Sequence, residues 1–131
     1  MFSTKTLDRL SSELIIWMTT VTPQGRPQTS PVWFLWEDPV FWVYSLDPTA
    51  RLDNIAANPL VSLNLNCDDH GSDIVTVEGT AVIDREAAAA NENAAYVTRY
   101  RDRMDRGWGS PEGFAREYPT AIEITPTRVR Q

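Results

Sequence analysis

One histidine and one cysteine are all this chain offers of the side chains that most often do chemistry unaided. His70 lies in the polar connection Asp68-Asp69-His70-Gly71 with no nucleophile motif beside it, so it reads as a solvated loop residue and not as part of a Ser-His-Asp triad. Cys67 is too local to His70 to suggest a cysteine enzyme, and structural zinc needs more thiolate or imidazole ligands than the chain holds. Asp68, Asp69 and Asp73 lack the spacing of a calcium loop. No glycine-rich phosphate loop of the P-loop or GxGxxG type is present. Any reaction here is therefore expected to be a cofactor's, with the protein supplying binding and orientation.

Two stretches are suited to that task. Gly25-Arg-Pro-Gln28-Thr29-Ser30-Pro31-Val32-Trp33-Phe34 carries two prolines in an otherwise strand-like run. Proline donates no ladder bond, so the strand is expected at an edge or bulged at Pro27 and Pro31. Its backbone and the Gln28, Thr29 and Ser30 side chains would suit a flat heterocycle with polar rims; an irregular edge strand with no ligand is the competing reading. The second stretch is Ser45-Leu-Asp-Pro-Thr49-Ala50-Arg51-Leu-Asp-Asn54-Ile55. A strand ends at Ser45 and a helix starts near Thr49, and helix N-termini favour phosphate. Arg51 in the first turn would add a bidentate clamp or stand as a solvated helix residue.

The elements around these stretches follow from periodicity. Leu7, Leu10 and Leu14 predict an N-terminal amphipathic helix over 4–14. Strands are predicted over Ile15–Thr22, Arg26–Trp36 and Val40–Ser45, joined by turns at Pro23-Gln24-Gly25 and Glu37-Asp38-Pro39. Thr49 caps a helix that Asn58-Pro59 stops. Leu60–Asn66 alternates apolar and polar residues as a half-buried strand, and Ile74–Asp84 is a strand with a bulge expected at Gly79. One long helix is predicted over Arg85–Met104, a short one over Pro111–Tyr118 capped by Ser110, and a last strand over Thr120–Thr125. The class is mainly β with flanking helices, a six-stranded antiparallel split β-barrel in a single domain, 1–131. Trp36 and Trp42 are placed to pair across a turn. Trp108, between two glycines, is the candidate for a pocket lid or subunit contact. Arg99, Arg103 and Arg106 share a helix face interleaved with Asp102 and Asp105, read as solvated and self-neutralising or as a landing site for an anionic tail.

The 131 residues carry a net charge of −6, which disfavours nucleic acid and anionic lipid. No apolar run approaches the roughly 20 residues of a membrane span, and no secretory apolar stretch follows Met1-Phe-Ser-Thr-Lys5. A cytoplasmic protein with no membrane insertion and no metal is the expectation.

Val21-Thr-Pro-Gln-Gly-Arg-Pro-Gln-Thr-Ser-Pro-Val-Trp-Phe34, then Tyr44-Ser45, then Ala50-Arg51-Leu-Asp-Asn54-Ile55-Ala-Ala-Asn58-Pro59-Leu-Val61-Ser62-Leu63, resembles the pyridoxamine 5′-phosphate oxidase-like flavin/deazaflavin oxidoreductases. Within them the chain is most similar to the small deazaflavin (coenzyme F420)-dependent reductases. The resemblance implies an FMN-binding split barrel, a homodimer with cofactor sites at the subunit interface. By position, Gln28, Thr29, Ser30, Pro31, Val32 and Trp33 would line the ring system. Tyr44, Ser45, Thr49, Ala50 and Arg51 would approach the ribityl chain and phosphate, with Asn54 supporting the loop. The family commonly carries lysine where this chain has Arg51, which keeps the charge and adds a fork. The implied activity is hydride transfer between F420, or FMN as the alternative, and a small unsaturated organic molecule. The competing classes are a non-catalytic flavin, deazaflavin or haem-type carrier and a barrel with an empty site. No catalytic side chain is assigned; Tyr44 is either a proton donor or structural.

Overall fold

The computed structural model describes residues 1–131. Helix α1 (Thr4–Ser12) leads into strands β1 (Ile16–Val21), β2 (Pro27–Val32), β3 (Leu35–Glu37) and β4 (Val40–Ser45). Helix α2 (Ala50–Ala57), strands β5 (Leu60–Asn64) and β6 (Thr76–Asp84), helices α3 (Ala94–Trp108) and α4 (Pro111–Glu117) and strand β7 (Thr120–Arg130) follow. All strand pairs are antiparallel, in the order β2-β1-β5-β6-β7-β4-β3. The sheet coils as a half-barrel over a core that includes Ile16, Phe34, Phe41, Leu63 and Ile122.

The strand number is seven and not six, because the run Arg26–Trp36 is broken. β2 pairs with β1 at one edge of the sheet and β3 with β4 at the other. The chain crosses between them at Trp33-Phe34, where the Phe34 backbone is satisfied by α3. Phe34 N–H donates to the Tyr100 hydroxyl at 2.8 Å, and Phe34 C=O accepts from Arg99 Nε at 2.9 Å. Arg99 also donates to the carbonyls of Ser11, at 2.7 Å, and Glu13. It is thus a clamp on backbone, unlike the solvated face expected of it, while Arg101 keeps a loose pair with Asp105 at 4.0 Å.

Other boundaries also move. β2 is an edge strand as expected, but its register with β1 is regular through Pro27 and Pro31, with no bulge. The long helix begins only at Ala94, where the Asn93 side chain accepts from Tyr96 N–H; a 3-10 turn at Ala90–Glu92 precedes it. It ends on Gly109, whose φ of 80° suits a residue without Cβ. Ser110 caps α4 with Pro111 in its first turn, as read from the sequence. β7 runs past Thr125 to Arg130 because β6 continues to pair with it beyond a register shift between Glu78 and Gly79. A Cβ on Gly79 would lie 2.8 Å from the Thr125 carbonyl oxygen, so this approach needs glycine. Trp36 faces Phe41, ring centroids 4.7 Å apart, while Trp42 lies opposite Leu35.

β4 has apolar side chains on both faces. Phe41 and Val43 enter the barrel core, and Tyr44 joins a second cluster with Tyr96, Tyr100, Met104 and Phe114 under α3 and α4. No helix is long and apolar enough to cross a membrane.

Candidate functional site

Two adjoining depressions collect most of the residues singled out above. The first is a groove of about 280 Å³ whose walls include Gln28, Thr29 and Ser30 from β2 and Thr49, Ala50 and Arg51 from the start of α2. The second is a cavity of about 370 Å³ to which Pro31, Val32, Trp33 and Tyr44 contribute. Arg51 and Leu46 belong to both. A third depression, about 400 Å³, lies by α1 and residues 71–75. Its polar groups are largely spent on one another, Lys5 pairing with Asp73 and Arg9 bonding Glu13 and the Asp73 and Asn66 carbonyls.

Arg51 is half-buried and has no carboxylate partner. Its Nη2 donates to the Ser30 hydroxyl at 2.6 Å. Burial lowers its pKa, offset only in part by Tyr118 nearby. A guanidinium that has lost water and gained no anion is a site for an incoming anion. Thr49 prepares the same place: its hydroxyl accepts from Leu52 N–H at 3.3 Å, starting α2 in a capped turn beside β2.

Asn54 stands behind the groove. It is buried, and its Nδ2 donates to Thr20 Oγ1 and Gln28 Oε1, both at 2.9 Å. The Gln28 amide is thereby held from within. Ser45 is fully buried with its Oγ donating to Leu46 C=O at 2.8 Å, so it shapes the strand end and does not face the groove. Tyr44 is also committed: its hydroxyl donates to Ala88 C=O at 3.0 Å and accepts from Asn93 Nδ2 at 3.3 Å. Burial raises its pKa. Of the two readings left open for Tyr44, this bonding is that of a structural residue.

Trp33 borders the cavity, but its ring is stacked on Tyr100 at 4.6 Å and on Phe114 at 4.9 Å and met edge-on by Trp108 at 5.5 Å. It is a fixed wall. The remaining wall comes from residues the sequence reading left as core or did not single out: Ile15, Leu46, Tyr96, Phe114 and Tyr118. Their signal was present in two pairs spaced i, i+4, Tyr96/Tyr100 and Phe114/Tyr118, which put aromatic faces on both helices. Trp108 lines the cavity as well, with its Nε1–H donated to Glu117.

The family model described as Pyridoxamine 5′-phosphate oxidase matches residues 2–131. No curated protein matches the chain in sequence. Among solved structures, an F420 reductase is 25% identical, with a TM-score of 0.72 over 94% of each chain. A conserved hypothetical protein, Rv2991 from Mycobacterium tuberculosis, is 22% identical with a TM-score of 0.78, covering 99% of this chain and 83% of the other. HutZ, the haem storage protein from Vibrio cholerae, is 17% identical with a TM-score of 0.66, covering 98% and 92%.

Proposed function

Because the chain belongs to the pyridoxamine 5′-phosphate oxidase family, we propose that it is a single-domain oxidoreductase that holds a phosphorylated flavin-type cofactor, F420 in preference to FMN. The observation that carries this is Arg51, a half-buried cation without an anion at the joint of groove and cavity. The residues fit such a group. Arg51, Ser30 and Thr49 with the first turn of α2 would take the phosphate. Gln28, Thr29, Pro31 and Val32 would offer the edge strand to the ring, with Asn54 fixing Gln28 from behind. F420 is preferred because the sequence motifs resemble the deazaflavin group and an F420 reductase is among the similar structures.

When bound, the cofactor would supply hydride transfer to or from a small unsaturated substrate. The chain's part is to position the two planes and keep water out. Trp33, stacked into its aromatic cluster, is a rigid stop at one end of the site. The groove on one protomer is open along β2, and a second copy of the chain is the natural cover for it, so the working form is a homodimer.

Visible-absorption or fluorescence titration with both cofactors tests the reading. Binding of F420 tighter than FMN is expected. Tight FMN binding with none of F420 would overturn the choice of cofactor, and binding of neither would overturn the function. A carrier that binds cofactor without turnover is the second reading, favoured by the engagement of the Tyr44 hydroxyl, the candidate proton donor, with Ala88 and Asn93. Steady-state assays with reductant and acceptor pairs separate the two.

A further inference from the structure

The wall of the 370 Å³ cavity holds no carboxylate, amide or imidazole; its polar side chains are Arg51, the indoles of Trp33 and Trp108 and the phenols of Tyr44, Tyr96 and Tyr118. Most of these are spent or out of reach. Tyr44 bonds Ala88 and Asn93, Trp108 donates to Glu117, and Arg51 belongs to the phosphate on the reading above. The Tyr96 hydroxyl is sealed within the protein, where no ligand meets it. Tyr118 differs. It is half-buried, its hydroxyl has no partner in the chain, and that oxygen is not sealed. The residue is nonetheless held in place: the ring stacks on Phe114 at 4.6 Å and meets Trp108 edge-on at 5.6 Å, and its N–H closes α4 on Phe114 C=O at 2.9 Å. Tyr118 and Arg51 lie close enough for the charge of each to bear on the other's proton, which puts the phenol at the mouth where cavity meets groove.

We propose that the Tyr118 hydroxyl is the positioning donor for a carbonyl oxygen of a planar, uncharged aromatic substrate that lies in this cavity with its oxygen at the mouth. The assignment rests on reading Arg51 as the partner of the cofactor's phosphate. Flat aromatic walls, Trp33 and Phe114 among them, favour a flat ligand. A guanidinium, indole N–H groups and a protonated phenol all donate, so the complement is an acceptor oxygen and not a second donor. Burial and then Glu117 raise the Tyr118 pKa against the opposing pull of Arg51, so the proton stays on the oxygen at neutral pH. In a cavity with few polar groups, one placed donor sets which end of the ligand points to the mouth.

The test compares 1-indanone, which carries a ring carbonyl, with indane, which has the same rings and none. Binding to the full chain, alone and after cofactor loading, is followed by quenching of tryptophan fluorescence. Tyr118→Phe is expected to weaken 1-indanone about fivefold to tenfold, to leave indane unchanged and, since the stacked ring is kept, to leave the Tm unchanged. The indanone carbonyl stretch should fall on binding to the wild type and return in the variant. Arg51→Ala should keep both the preference for 1-indanone over indane and the shifted stretch. Equal indanone affinity in Y118F and wild type overturns the assignment, as does a shifted stretch that is lost in R51A and kept in Y118F, which would make Arg51 the donor. So does competitive displacement of 1-indanone by the cofactor, which would make the cavity the ring's own seat. Indanone binding that depends on Tyr118, in a protein that binds neither cofactor, would sink the cofactor reading and leave the donor in place.

Discussion

The Arg51 guanidinium meets the Ser30 hydroxyl at 2.6 Å, so the first turn of α2 is tied to the edge strand β2 across 21 positions of sequence. The tie is between a cation and a neutral group, and it leaves the rest of the fork free.

Arg51→Ala should therefore weaken cofactor binding about 10- to 100-fold, the range of one or two charge-assisted bonds. Its Tm should hold or rise, because burial of the charge is unfavourable in the free protein. Arg51→Lys should recover part of the affinity, as the charge returns without the fork. Cofactor titration and thermal melts on the same preparations decide it. Unchanged affinity would move the phosphate to Arg26 or Arg128.

Asn54→Ala should act on the fold before the site. It removes the donor shared by Thr20 and Gln28 and leaves the buried Thr20 hydroxyl without it. A loss of about 1–3 kcal/mol in urea unfolding is expected. Cofactor affinity should fall less than in Arg51→Ala, since Gln28 is loosened and not removed.

Tyr100→Phe tests the closure of the half-barrel. The Tyr100 hydroxyl accepts from Phe34 N–H and donates to the Leu14 or Phe34 carbonyl, at 2.8 and 2.9 Å. The variant should lose about 1–3 kcal/mol as that buried N–H is orphaned. Equal stability to wild type would mean the corner at Trp33-Phe34 has another support.

Acid should expose a further contact. Asp47 accepts from Thr120 Oγ1 at 2.7 Å and pairs with Arg85 at 3.0 Å, and these, Thr120 first, hold its pKa below the ordinary 3.8. A lowered folded-state value gives stability that is present above the unfolded pKa and lost as pH falls through the folded one. Asp47→Asn should thus melt earlier than wild type at neutral pH. The gap should close as pH drops below about 3.8. A gap that persists at low pH would assign the effect to packing.

The parts of the site that lie in short sequence windows were legible as such. Thr49 is a cap by residue type and position, and Gln28–Ser30 sit on an edge strand, one of the places where prolines are tolerated in a sheet. The family resemblance implied that both stretches line one cofactor site, but the bond from Arg51 to Ser30 was not foreseen. The break at Trp33-Phe34 was hidden, since Pro31-Val-Trp-Phe-Leu-Trp36 is uniformly strand-like and the groups that interrupt it, Arg99 and Tyr100, are more than 60 residues away. The cavity was missed for a related reason. An aromatic stripe on a helix reads as core, and only the packing of α3 against α4 shows that one hydroxyl in it is left over.

The corner at Trp33-Phe34 carries both free edges of the sheet on a single ribbon, fastened by α3. Spreading the barrel's seam would drag the aromatic wall with it, so the two are mechanically one joint. The Phe34 amide is then an internal gauge. Its hydrogen exchange reads the seating of α3 on that corner and should slow when the space under the helix is filled.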